Sequence, residues 1–281
     1  MRKYISTYLF LSLVSQSLSS DSFIYNSYNN HGAIGLINMP TGRFYDAGSH
    51  GVTLYDGSPD QKITLTSSPY DWLEASFFYT NIQDKPYCDL SYDPVCSQDY
   101  KDKGFNFKVR LKEEGVFPAI AIGINDIAGT GLYSSEYIVA SYGINNLDFH
   151  IGLGWGNLNG SNNRIKNPFG YISEKFKDRP DYIAKETGQF NSGRYFSGDE
   201  VSPFFGASYA LNKKMLLKIE NDTTLLPGTV GYEISKSSIS FGMDYEINKN
   251  FSLGISRERD NYLSLRFVYK NNPNDVMSTF K

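Results

Sequence analysis

Charged residues at alternating positions are the main chemistry this sequence offers. Read as extended chain, Glu74, Lys108, Arg110, Glu136, Lys218, Glu220, Asp244, Glu246 and Arg266 are assigned to the faces opposite their strands' apolar residues. Asp126 and His150 join them as candidates for the same enclosed, polar face. Charges on an enclosed face must be paired or hydrated. One outcome is a network of ion pairs that cross-braces the fold. The other is a polar pathway or binding surface for a hydrophilic polymer. A sugar-binding surface would combine such groups with aromatic faces, for which Tyr55, Phe78 and Tyr142 are the candidates.

Arrangements for catalysis are missing from the sequence. It contains no G-x-S-x-G elbow, no H-E-x-x-H and no phosphate-binding loop. The three histidines, His31, His50 and His150, are too scattered to propose a metal centre or a triad. No catalytic residue, metal site or cofactor is therefore expected, and the reading is of a protein that is not an enzyme. Gly129 to Gly131, GTG, could form an anion-binding nest or simply a loop that needs positive φ. Cys88 and Cys96 lie in PYCDLSYDPVC, and in an exported chain such a pair is expected to close a loop as a disulfide. Two thiols without a third ligand make a poor metal site.

The elements that must position these groups are strands. Strand patterns fall near 51–56, 61–67, 72–82, 103–112, 117–126, 133–143, 146–156, 201–210, 213–220, 229–235, 237–247, 250–257 and 262–270. A short helix is expected only in the long 157–200 connection. In KGFNFKVRLK, Phe105, Phe107, Val109 and Leu111 oppose Asn106, Lys108, Arg110 and Lys112. In DFHIGLGWG, Phe149, Ile151, Leu153 and Trp155 oppose His150 and three glycines. Either a soluble sandwich with apolar faces inward or a membrane barrel with apolar faces outward fits this alternation. Long strands, a second face rich in Gly, Ala and Ser, and aromatics near strand ends (Tyr79, Tyr133, Trp155, Tyr245, Tyr262, Tyr269) favour the barrel. Short turns such as SSPYD and GINN alternate with long connections at 83–102 and 157–200. The expectation is an all-β, antiparallel transmembrane β-barrel of roughly 12 strands, an even number as in bacterial outer-membrane proteins. Its apolar faces would meet lipid, and the 157–200 loop would gate or plug its mouth.

Residues 1–20, MRKYISTYLFLSLVSQSLSS, have a basic start, a short apolar run and small residues at Ser17, Ser19 and Ser20, the pattern of a signal peptide. Residues 21–281 then form a single barrel domain, with a periplasmic lead-in over about 21–50. A net charge of −3 gives no basic face for nucleic acid.

From GAIGLINMPTGRF onward the sequence resembles the YjbH family of Gram-negative outer-membrane proteins linked to exopolysaccharide production. SSPYDWLEASFFYTNI, KDKGFNFKVRLKEEG, PAIAIGINDIAGTGLYSSEYIVASYG, GLGWGNL, NPFG and FFGASY continue that resemblance in order, over roughly residues 32–270. The resemblance implies an outer-membrane barrel that takes part in exopolysaccharide secretion or assembly, as conduit or accessory. Its partners would be membrane lipid, the polymer and other envelope proteins. It also implies a longer protein, of which this would be the N-terminal barrel. Motif positions Asn38, Pro40, Glu74, Lys108, Asp126, Gly129, Thr130, Gly131 and Glu136 would serve barrel architecture. The alternatives are a scaffolding barrel with a packed lumen and, last, an exported glycan-modifying enzyme.

Overall fold

The computed structural model describes residues 25–58, 60–88, 96–180, 192–225, 237–259 and 262–274. The expected signal peptide and the strand expected at 229–235 lie outside the described residues. Strands run as β1 (Ser49–Asp56), β2 (Asp60–Tyr70), β3 (Leu73–Pro86), β4 (Asp99–Lys112), β5 (Ala119–Ile127), β6 (Ser135–Ile144) and β7 (Leu147–Gly156). They continue as β8 (Ile165–Lys166), β9 (Glu200–Asn212), β10 (Met215–Asn221), β11 (Ile239–Glu246), β12 (Phe251–Glu258) and β13 (Tyr262–Asn271). The two-residue β8 only fringes β9. β9 pairs with β7 and β10, and β1 pairs with both β2 and β13, so the other twelve strands close an antiparallel barrel. Closure satisfies every strand's backbone groups and removes free edges, which a membrane requires.

The register confirms the two-faced reading of most strands. Leu54, Ile63, Leu65, Phe105, Phe107, Ile151, Phe205, Leu265 and Phe267 are exposed on the outer wall, while Lys62, Thr64, Glu74, Lys108, Glu220 and Arg266 are buried inside. This is a soluble protein turned inside out. Outward aromatics pair across strands: Phe77 and Phe105 are register partners with ring centres 5.3 Å apart. Tyr70 stacks on Trp72 at 5.4 Å beside the β2–β3 turn, as an aromatic belt at the interface would.

Connections alternate cleanly. Those at 71–72, 113–118, 145–146, 213–214 and 247–250 lie at one end together with both ends of the barrel sheet. The opposite end carries 57–59, 87–98, 128–134, 157–199, 222–238 and 259–261. β10 pairs directly with β11, so 222–238 is one connection of the longer kind. Within the 157–199 connection the described residues form three single 3-10 turns, Pro168–Tyr171, Glu174–Phe176 and Ser192–Arg194. In the 87–98 connection Cys88 and Cys96 are joined as a disulfide.

Two aromatics expected in the lipid belt are not there. Tyr133 is buried inside the barrel, and Trp155 is 0% exposed. Trp155 does sit on the outward face with Leu153 and Ile151, but its ring is covered by Phe169, at 5.6 Å, and Phe196, at 5.2 Å. Alternation set the face, and a distant loop decided what covers it.

The inward glycines of β7 answer to close neighbours. A Cβ at Gly152 would come within 2.3 Å of the Phe204 ring and 2.7 Å of the Ile138 carbonyl, and one at Gly154 within 2.6 Å of Leu158. Gly152→Val should therefore destabilise the barrel by about 2 kcal/mol through overpacking, whereas Ile151→Val on the outer wall should cost less than about 1.5. The temperature at which the folded species unfolds on an unboiled detergent gel reads the difference.

Candidate functional site

The lumen is where the charged side chains of the wall converge, and the chain fills it with itself. The sequence reading puts residues 21–50 outside the barrel as a lead-in. The structure instead buries Tyr28, Asn30, Ile34, Leu36, Ile37, Asn38 and Met39 inside it. Ser27 to Gly42 contains no Asp, Glu, Lys or Arg, so the segment enters the lumen without charges of its own to desolvate. It folds back on itself through bridges Tyr28–Ile34 and Gly35–Pro40, with Asn30 N–H to Ile37 O at 2.8 Å and Leu36 N–H to Met39 O at 2.9 Å. Most of its peptide groups still need partners, because a buried unpaired amide or carbonyl is costly.

Wall side chains supply them in two opposed grips. On β10, the Glu220 carboxylate accepts from the N–H groups of Ile37 and Asn38, both at 2.8 Å, and of Met39 at 3.1 Å. Lys218, two residues earlier and hence on the same face, donates to Gly35 O at 3.1 Å and Leu36 O at 2.6 Å. Asp244 on β11 balances Lys218 at 2.8 Å and also pairs with Arg266. Five strands around the barrel, on β4, Lys108 donates to Ile34 O at 3.2 Å and Arg43 O at 2.9 Å while pairing with Glu74 at 3.2 Å. Glu74 in turn accepts from Ile34 N–H at 3.3 Å. Each grip thus holds carbonyls with an ammonium and amides with a carboxylate; Lys108 is paired with the carboxylate of its own grip, and Lys218 with Asp244.

Side chains of the plug are held as well. Asn38 donates to Glu258 at 2.7 Å and Asp222 at 2.9 Å, and Asn30 donates to Glu258 at 2.9 Å. Leu36, Met39 and Phe44 pack against Ala121, Tyr137, Val139, Leu158 and Phe204. The cavity left between plug and wall, lined by His31, Lys62, Asn106, Tyr133 and Tyr137, measures about 40 Å³. That holds a few water molecules and no sugar ring.

Glu74, Lys108, His150, Glu220, Asp244 and Arg266 therefore meet around the plug. His150 bonds Ser141 Oγ at 2.7 Å, and that oxygen accepts from Gly42 N–H at 2.8 Å. With Asp148 3.6 Å from the imidazole, the trio has the composition of a hydrolytic relay. Its hydroxyl is buried and already engaged with the plug, so the arrangement serves packing. Asp126 points inward because a bulge at the end of β5, with φ of 58° at Asp126, interrupts alternation. It accepts from Tyr133 N–H at 3.0 Å. Arg110 is half-buried at the short-turn end, paired with Glu113 at 2.8 Å and lying over the Phe44 ring.

Three expectations are corrected. Glu136 does not face the lumen: it is the register partner of Ile124 and Trp155 on the outer wall. Alternation could not assign it, because both faces of EYIVASYG are apolar. Tyr142 lies outward for the same reason, opposite Phe149, whereas Tyr55 and Phe78 do lie inside. Among the described residues, only the start of the 157–200 connection reaches the mouth, and most of the rest lies outside the barrel. Leu158 dips into the lumen core and the next residues cross the mouth, with Gly160 N–H donating to Thr223 O at 2.8 Å and Ser202 Oγ donating to Asn159 at 2.9 Å; farther on, Phe169, Arg179 and Phe196 gather on the outer wall around Trp155 and Glu136. Residues that the reading overlooked include Lys62, Asp222 and Glu258. Lys62 opposes Ile63 and Leu65 in QKITLTSS, so the same alternation would have found it.

These features define a transmembrane β-barrel closed by an internal plug of its own N-terminal residues. Residues 27–281 match the YjbH family, described as an exopolysaccharide biosynthesis protein, and the chain belongs to that family. The uncharacterized lipoprotein YjbH of Escherichia coli (strain K12) is 32% identical over 257 residues, covering 90% of this chain. The chain spans 36% of that relative's length. Among solved structures, an outer membrane channel from Pseudomonas putida F1 is similar with a TM-score of 0.44 and 9% identity, covering 84% of this chain and 100% of that one. The KdgM porin in complex with disordered oligogalacturonate gives 0.41 and 7%, covering 79% and 97%.

Glu220→Gln should weaken the plug's docking by about 2 kcal/mol, through loss of charge-assisted bonds, and speed amide exchange at residues 37–39 roughly 30-fold. Plug docking should also weaken in acid. Burial, and Lys62 donating to its Nδ1 at 2.9 Å, hold His31 well below its ordinary 6.5, so the ring is neutral. The folded value is the lower one, so this contribution is full above 6.5 and is lost as pH falls towards the folded value. Exchange of the 29–35 amides, corrected for intrinsic rates, should accelerate below that pH in the native protein and respond less in His31→Gln.

Proposed function

We propose that this protein is an outer-membrane barrel that assists exopolysaccharide secretion or assembly with its lumen closed by its own plug. The observation that carries this reading is the filled lumen: Glu74, Lys108, Lys218 and Glu220 hold the plug's peptide groups, and the space between plug and wall among the described residues, about 40 Å³, is too small for a passing polymer. The family description supports the exopolysaccharide role. A closed, even-stranded barrel with an apolar outer wall supports the outer membrane as its location. The protein acts as an accessory and not as an enzyme. Contacts with polymer or envelope partners would fall at the rims. At the short-turn end, an indentation of about 270 Å³ lies between Tyr28 and Tyr45 of the plug and Glu246, Lys249 and Lys270 of the wall.

The conduit role would require the plug to withdraw. Planar-bilayer conductance separates the two. The native protein should be electrically silent, and Lys218→Met combined with Glu220→Gln should produce openings as one grip fails. A native protein with steady open conductance would overturn the packed-lumen reading.

A further inference from the structure

The connection between β7 and β9 forms a lobe on the outside of the barrel wall. Arg179 reaches Glu136 with both terminal nitrogens, at 2.7 and 3.0 Å, and Phe196 N–H reaches the same carboxylate at 3.0 Å. Phe169 and Phe196 close over Trp155. Glu136 and Trp155 are both 0% exposed, yet both belong to the outward face that continues downward through Leu153 to Ile151, which is 62% exposed. A carboxylate on the lipid side of a wall is tolerable only when capped, and the lobe caps it with a guanidinium. Lobe and apolar belt are thus contiguous along one strand face.

The lobe presents an apolar pair of its own. Tyr171 is 83% exposed and Ile172 75%, and they follow Phe169 by two and three residues. An extended chain reaches at most about 3.6 Å per residue, so both lie within about 11 Å of the residue that covers Trp155. Arg164 and Lys175 are exposed on the same lobe. An aromatic and an aliphatic side chain flanked by cations, held beside the outer rim, match the boundary between acyl chains and anionic headgroups.

We propose that this lobe is a membrane-seating element: Tyr171 and Ile172 insert at the headgroup boundary of the leaflet next to the long-connection end, with Arg164 and Lys175 facing its phosphates. The inference rests on the outer-membrane reading. The partner is the lipid surface that already covers Ile151, because the lobe is built directly on that face.

The test places a single cysteine at Ile172 or, as the belt control, at Ile151, with Cys88 and Cys96 left as their disulfide and an environment-sensitive fluorophore attached. The full chain is reconstituted in vesicles of phosphatidylcholine and lipopolysaccharide containing a lipid that carries a quencher near its headgroup. Label at Ile151 should be quenched by the lipid and ignored by aqueous iodide. The proposal expects label at Ile172 to lose fluorescence to the lipid quencher to a comparable extent, and to be shielded from iodide. Quenching at Ile151 with free access of iodide to Ile172 would overturn the seating role, as would a label at Ile172 shielded from both quenchers by some other partner. Failure at Ile151 itself would overturn the membrane reading on which the proposal stands. Unfolding temperature of each variant on an unboiled gel shows that the barrel is intact.

Discussion

The constraint on which this structure depends is that peptide groups inside a barrel have no ladder to join. Wall strands spend all their backbone donors and acceptors on each other. A segment threaded through the lumen must therefore bond to itself, as the Tyr28–Ile34 and Gly35–Pro40 bridges do, or be satisfied by side chains, and only long ones reach the middle. Lys218 with Glu220, and Lys108 with Glu74, meet that need from opposite sides. Lysine satisfies carbonyls and glutamate satisfies amides, and each lysine keeps a carboxylate beside it, Glu74 for Lys108 and Asp244 for Lys218, so neither ammonium is bare. The plug's own lack of charge between Ser27 and Gly42 is the counterpart of a wall that carries them.

The same economy explains the outer wall. Lipid accepts apolar side chains without penalty but accepts no open carboxylate. Glu136 stands on that side, and Arg179 and the Phe196 amide enclose it completely. A single charged residue on the wrong face has thereby fixed where a long connection folds. Only the first described residues of the β7–β9 connection stay at the mouth, where Leu158 packs with Met39 and Phe204 and Gly160 bonds Thr223.

Much of the site was legible from alternation. Glu74, Lys108, Glu220, Asp244 and Arg266 oppose unambiguous apolar runs, so their direction followed from a period of two. Legibility failed where the signal itself was degenerate. In EYIVASYG both faces are apolar, and Glu136 and Tyr142 were assigned to the wrong one. Asp126 reaches the enclosed side through a bulge that resets the phase, which alternation alone does not show. Lys62 obeyed the rule and was simply overlooked in a Thr-rich strand.

Sequence alone determined most of the strands and the two faces of those with one polar side, because each depends on residues one or two positions apart. It also determined the chain's resemblance to YjbH, now borne out by the match over residues 27–281. Only the tertiary structure decided what the lumen holds. Nothing local in GAIGLINMPTG distinguishes a lead-in from a plug. The distinction arises when Glu220, more than 180 positions later in sequence, closes on the amides of Ile37 and Asn38. Contacts at that separation are fixed by barrel closure, which no window of sequence contains.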